Sequence, residues 1–78
     1  MSSTTTHFLA QFRDQFDDTP PEEIHMHTLF RELEEWSSMH ALLIIAMIDA
    51  EYDRPFTGDE LAACTTVKDI YMTVQQKL

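Results

Sequence analysis

The chain has 78 residues, with 14 acidic side chains against five basic ones, and a formal net charge of −9. This acidic excess disfavours binding to nucleic acid or to an anionic membrane, because both are negatively charged, and it favours solubility and partners with basic patches. A single glycine and three prolines argue against a low-complexity chain. The length is enough for one small domain over residues 1–78.

Cysteine usage and apolar runs predict a cellular location. Cys64 is the only cysteine, so an intramolecular disulfide is excluded and a reducing compartment is expected. No basic segment followed by an apolar one opens the chain, which predicts no signal peptide. The longest apolar run, residues 41–48, is far shorter than the roughly 20 residues that span a bilayer. We therefore expect a cytoplasmic protein, with a monomer as the default state.

The first predicted element is a helix over residues 5–17. Ser2 to Thr6 offer several N-caps, and helical spacing relates four apolar side chains: Phe8, Leu9, Phe12 and Phe16. The helix is expected to stop at Asp18-Thr19-Pro20-Pro21, because proline lacks an N–H group and disfavours helix in the residue before it.

A long connection is predicted over residues 19–37. Short turns are expected at Glu22-Glu23-Ile24 and within Thr28 to Glu34. Three apolar side chains are expected to anchor this loop to the core: Leu29, Phe30 and Leu33. Trp36 is expected to be half buried just before the next helix.

The second helix is predicted to begin at Ser37 or Ser38 and to end near Asp53, and it has two apolar stripes. The first, expected to be buried, contains Ala41, Ile44, Ile45, Ile48 and Tyr52. The second contains Met39, Leu42, Leu43, Ala46 and Met47. A helix that is apolar on both sides is either wholly buried or uses one side outside the fold, and both alternatives remain open.

Two more helices complete the prediction of an all-α, four-helix bundle with a long first loop and a short third helix. Thr57-Gly58-Asp59-Glu60 has the pattern of a capping box and predicts a short third helix that ends near Cys64. Thr65 or Thr66 is expected to cap the fourth helix, whose apolar face contains Val67, Ile70, Tyr71, Val74 and Leu78.

This order of elements resembles that of acyl carrier proteins over residues 5–77. The segment Phe30-Arg31-Glu32-Leu33-Glu34-Glu35-Trp36-Ser37-Ser38-Met39 is similar to the region around their Asp-Ser-Leu motif. The segments Ile48 to Tyr52, Thr57 to Leu61 and Thr65 to Ile70 fit the parts that follow. On this pattern Ser38 occupies the position of the modified serine.

The resemblance implies a non-catalytic carrier. In that family the serine carries 4′-phosphopantetheine, which a phosphopantetheinyl transferase moves from coenzyme A, and the terminal thiol of this arm holds an acyl chain as a thioester. The implied partners are that transferase and the acyl-transfer or condensing enzymes of fatty-acid or related biosynthesis. Ser37 and the apolar residues of the second stripe are expected to border the partner and acyl face: Met39, Leu42, Leu43 and Met47.

Four positions differ from the family pattern. Ser37 stands where an aspartate is usual, Met39 follows the serine in place of leucine, and His40 and Leu43 replace residues that are often acidic. Three alternatives therefore remain: Ser37 is the modified residue, the chain is an unmodified interaction module with the carrier fold, or it is an aminoacyl or peptidyl carrier. Outside the resemblance, Ser37 and Ser38 are interpreted as helix caps.

The remaining reactive side chains suggest no second site. His25 and His27 lack the cysteine or carboxylate partners of a metal site, so surface positions are predicted for them and for His7 and His40. Cys64 is expected to be a small buried apolar residue.

Overall fold

The structure, a computed structural model, describes residues 4–78 and is all-α over that range. It contains four α-helices: α1 (Thr4–Arg13), α2 (Ser38–Tyr52), α3 (Gly58–Ala62) and α4 (Val67–Lys77). Helix α1 packs against α2 and α4, and α2 packs against α3. The predicted fold class is therefore confirmed, including the long first connection and the short third helix. The N-caps expected at Ser2 and Ser3 lie outside the described residues.

Helix α1 ends at Arg13, so the prediction that it extends to residue 17 is wrong. Gln15 and Phe16 donate to carbonyls three residues back, which is the tighter 3-10 pattern of a helix end. Phe16 remains buried in the core. The Arg13 guanidinium donates two hydrogen bonds to the carbonyl of Ile24, at 2.9 and 2.7 Å, and this contact holds the connection against the end of the helix.

The first connection contains the two short turns that the sequence predicts, as 3-10 helices at Pro21–Glu23 and Phe30–Glu32. Phe30 is fully buried and Leu33 packs against the core, but Leu29 is 41% exposed and is not the anchor that was predicted. Its backbone instead forms an isolated antiparallel bridge with Thr66. In the same loop, the carbonyls of Thr28 and Met26 accept hydrogen bonds from the first two amides of α4, which have no partner within their own helix.

Helix α2 begins and ends as the sequence predicts, and its first apolar stripe faces the core. Ile44 and Ile48 are fully buried, while Ala41, Ile45 and Tyr52 are half buried and pack against the core. The helix stops at Asp53, which adopts the left-handed conformation with φ 54°. Aspartate tolerates this conformation better than most residues other than glycine, because its short polar side chain can hydrogen-bond locally.

Capping boxes begin both α3 and α4. Thr57 accepts a hydrogen bond from the amide of Glu60 and Thr66 accepts one from the amide of Asp69, and each carboxylate binds the amide of its threonine in return. Helix α3 ends at Ala62, two residues before the predicted end at Cys64. The last residue of the predicted apolar face of α4, Leu78, is exposed because it lies beyond the helix.

The buried side chains form one core between the helices and the first connection. Its members are Phe8, Phe12, Phe16, Ile24, Phe30, Ile44, Met47, Ile48, Phe56, Leu61, Cys64, Val67, Ile70 and Val74. No helix within residues 4–78 combines the length and the apolar character that crossing a membrane requires.

Candidate functional site

Ser38 is the first residue of α2, and its side chain is exposed. The residue before it, Ser37, is the N-cap: its hydroxyl oxygen accepts a hydrogen bond from the amide of His40 at 3.4 Å. Serine and aspartate are comparably good N-caps, so Ser37 can do the structural work of the aspartate expected from the family pattern. The hydrogen bonds among residues 4–78 do not use the Ser38 hydroxyl, which leaves it available to solvent.

The carboxylate of Glu35 holds in place the segment of the chain that precedes Ser38. It accepts hydrogen bonds from the amides of Asp17 and Asp18, at 3.0 and 3.1 Å, and from the hydroxyl of Thr19 at 2.6 Å. These donors hold the pKa of Glu35 below its ordinary value of 4.5, with the Thr19 hydroxyl as the largest cause. Glu35 therefore links residues 17–19, which follow α1, to the segment that leads into α2. The sequence did not reveal this role.

The lowered pKa of Glu35 is expected to make the domain less stable in acid. A carboxylate whose pKa is lowered by folding stabilises the fold above its unfolded pKa, and that contribution is lost as the pH falls through the folded value. Asp69 and Glu60 have lowered pKa values for similar reasons: backbone amides bind Asp69, while Lys77 and then Thr57 bind Glu60. We expect the midpoint of thermal unfolding to fall as the pH decreases below about 4.5, with a smaller fall in Glu35→Gln. A wild-type midpoint that stays constant down to pH 3 would contradict this account.

Stacked aromatic rings pack near the start of α2. The imidazole of His40 stacks on Phe16 with ring centroids 4.7 Å apart, and Phe16 stacks on Trp36 at 6.2 Å. The rings of Trp36 and Phe30 pack in a T-shaped arrangement with centroids 4.8 Å apart, and Trp36 is half buried as predicted. The surface position predicted for His40 is wrong, because its ring is covered by Phe16 and lies 3.5 Å from a carboxylate oxygen of Glu35. The other three histidines are exposed.

A shallow groove of about 390 Å³ begins at Ser38 and runs between α2 and α3. Its walls are mostly apolar, and they are formed by Arg31, Trp36, Ser38, Ala41, Leu42, Ile45, Gly58, Leu61 and Ala62. Arg31 is the one charged residue of this lining. Its guanidinium lies over the ring of Phe30, 4.7 Å from the centroid, and donates to the carbonyls of Leu61 and Cys64.

The second apolar stripe of α2 is largely an exposed face. Met39 is 67% exposed and Leu42 is 66% exposed, and Leu43 is also exposed. Met47 is a correction to the predicted face: it is only 6% exposed and belongs to the core, because at 3.6 residues per turn it lies about 40° further around the helix than Leu43, on the side of the buried Ile44. The first turn of α2 contains no acidic residue.

The structure brings some of the predicted site residues together and separates others. Ser38 and Leu42 line the groove, and Met39 and Leu43 lie on the exposed face beside it. Arg31 and the α3 residues Leu61 and Ala62 also line the groove, and no sequence pattern predicts a site role for them. Periodicity shows which residues of one helix share a face, but it contains no information on which residues of distant segments meet.

The metal-ligating side chains and the cysteine do not form a second candidate site within residues 4–78. Over residues 4–78, His, Cys, Asp and Glu side chains do not gather in groups of three or more that could hold a metal ion. Cys64 is buried as predicted, and burial raises the pKa of its thiol, which keeps it in the less reactive protonated form.

Fold and site together define a small helical bundle with an exposed serine at a helix start, beside an apolar groove and an apolar helix face. The chain matches no protein-family model, no curated protein and no solved structure. Its function is therefore inferred from this serine and its surroundings.

Proposed function

We propose that this chain is an acyl carrier protein that carries 4′-phosphopantetheine on Ser38. In the loading step the Ser38 oxygen attacks the pyrophosphate phosphorus attached to the pantetheine of coenzyme A. A phosphodiester bond forms at Ser38, the pyrophosphate bond breaks, adenosine 3′,5′-bisphosphate leaves, and the serine proton is lost to a base of the transferase. The thiol of the arm then holds an acyl group as a thioester.

The observation that carries this proposal is the exposed Ser38 hydroxyl at the first position of α2, with the cap supplied by Ser37. Because the cap does not depend on Ser38, the hydroxyl can be esterified without loss of the helix start. A phosphate there lies near the free amides and the positive end of the helix dipole, which favours negative charge by about 0.3–1 kcal/mol at exposed sites.

The groove beside Ser38 has the chemistry that an acyl carrier needs. Leu42, Ile45 and Leu61 give it apolar walls, so it can shield part of a hydrocarbon chain from water. The exposed Met39 and Leu43 offer contacts to the enzymes that receive the cargo. The acidic surface suits transferases and condensing enzymes with basic patches.

Loading by a broad-specificity phosphopantetheinyl transferase tests this proposal. The purified protein is incubated with the transferase and coenzyme A, and its intact mass is measured before the modified peptide is mapped. The expected result is the gain of one phosphopantetheine within the peptide that contains Ser38. No gain, alongside a known carrier that loads under the same conditions, would contradict the proposal.

A second candidate function is an unmodified interaction module, favoured by the exposed apolar face at Met39, Leu42 and Leu43 and by Ser37 in place of aspartate. This module would bind a partner protein through that face without any arm. Partner binding that Ser38→Ala leaves intact and Leu42→Asp removes would favour the module over the carrier.

A further inference from the structure

We infer that Arg31 is a positioning residue for the arm: its guanidinium pairs with the phosphate on Ser38 and holds the start of the arm at the mouth of the groove between α2 and α3. Both residues line this groove, and every other residue of its lining is uncharged. The inference depends on the proposed function, because it requires a phosphate on Ser38.

The contacts of Arg31 leave its charge unneutralised within residues 4–78. Its hydrogen-bond partners are backbone carbonyls, Cys64 at 2.5 Å and Leu61 at 2.8 Å, and none of the ion pairs in this range includes it. In a chain with a net charge of −9 and five basic residues, Arg31 is the one cation in the lining of the groove that Ser38 also lines. A phosphodiester on Ser38 would supply the missing counter-ion.

The same contacts fix where the guanidinium lies. Two carbonyls at the end of α3 and the ring of Phe30 hold it, so it does not sample the many positions of a free surface arginine. An arginine has five N–H donors, and the two bonds to carbonyls leave three for another acceptor. Phosphate oxygens are well suited to this planar set of donors. Arg31 thus links the α3 wall of the groove to the group attached at α2.

This pairing would give the pantetheine arm a fixed direction. Beyond the phosphate, the pantetheine would continue along a groove with apolar walls at Trp36, Leu42 and Ile45. Without Arg31 the phosphate has no fixed cation in the groove, and the arm would point freely into solvent.

Phosphorus NMR of the loaded protein tests this inference, with Arg31→Gln as the main variant. Arg54→Gln is a matched control, since Arg54 also donates to backbone carbonyls, of Lys77 and Asp53, but does not line the groove. Loading of each protein is first verified by intact mass. The phosphodiester resonance is expected to shift and to narrow in Arg31→Gln, as the phosphate moves more freely, and to coincide with wild type in Arg54→Gln. Raising the salt concentration should move the wild-type resonance towards that of Arg31→Gln, because salt screens exposed charges.

Arg31→Lys distinguishes two possible causes of the change in the resonance: loss of the positive charge, and loss of the hydrogen bonds that hold the end of α3. It keeps the charge but not the fork that binds the two carbonyls, so its resonance should stay nearer to wild type than that of Arg31→Gln. Equal shifts in the two variants, or a wild-type resonance that is insensitive to salt, would overturn the inference; the salt titration applies even where Arg31→Gln does not fold. Failure of every protein to load would instead overturn the proposed function, and the inference with it.

Discussion

Replacing Ile48 by alanine is expected to lower the free energy of unfolding by about 2–5 kcal/mol. Ile48 lies in the middle of α2, is fully buried, and belongs to the core shared by the helices. The substitution removes apolar contacts and leaves a cavity that the packed neighbours fill only in part. Ile44→Ala should behave in the same way for the same reason. Urea unfolding followed by far-ultraviolet circular dichroism measures the change.

Leu42→Ala is the matched control for this prediction, because it removes an aliphatic side chain from the same helix at a position that is 66% exposed. Its effect should lie within about 0.5 kcal/mol. A small domain has little stability in reserve, so Ile48→Ala can unfold outright, and Ile48→Val, at about 0.5–1.5 kcal/mol, then gives a measurable value. Equal losses at positions 42 and 48 would show that α2 is not oriented as described.

The two adjacent serines are expected to respond in opposite ways. Ser38→Ala should abolish loading with phosphopantetheine and leave stability almost unchanged, because the Ser38 hydroxyl is not the cap. Ser37→Ala should still load, but it should lose about 0.5–2 kcal/mol as the N-cap is removed. The 3.4 Å cap contact favours the lower end of that range.

Thermal unfolding and intact mass are measured on both variants and on wild type. Together they show which serine caps the helix and which one carries the arm. Loading retained in Ser38→Ala and lost in Ser37→Ala would assign the arm to Ser37 instead. A large loss of helical circular dichroism in Ser38→Ala would show that the fold depends on this serine.

Local sequence signals were enough to predict most of the fold. The four helices follow from apolar spacing, from the prolines after α1, and from the capping patterns at Thr57 and Thr66. These signals act within a few residues, so they are visible in the chain itself. The end of α1 was predicted four residues too late because Phe16 keeps the helical spacing although the backbone has already tightened.

The parts of the site that sequence reasoning missed depend on contacts between distant segments. Arg31 meets carbonyls at positions 61 and 64, and Glu35 meets amides at positions 17 and 18. Met47 was assigned to the exposed face because a stripe of period 3.6 has no sharp edge: helix periodicity does not say where the buried face stops. Such assignments need the tertiary packing.

The most direct test of the carrier proposal is the intact mass of the protein purified from the cells that naturally make it. A promiscuous transferase tests competence in vitro, whereas this mass records the form that the cell maintains. We expect the mass of the chain plus one phosphopantetheine, with or without an acyl group that hydroxylamine releases, and fragmentation that locates the phosphopantetheine on Ser38. A population that carries no phosphopantetheine would contradict the account and favour the unmodified interaction module.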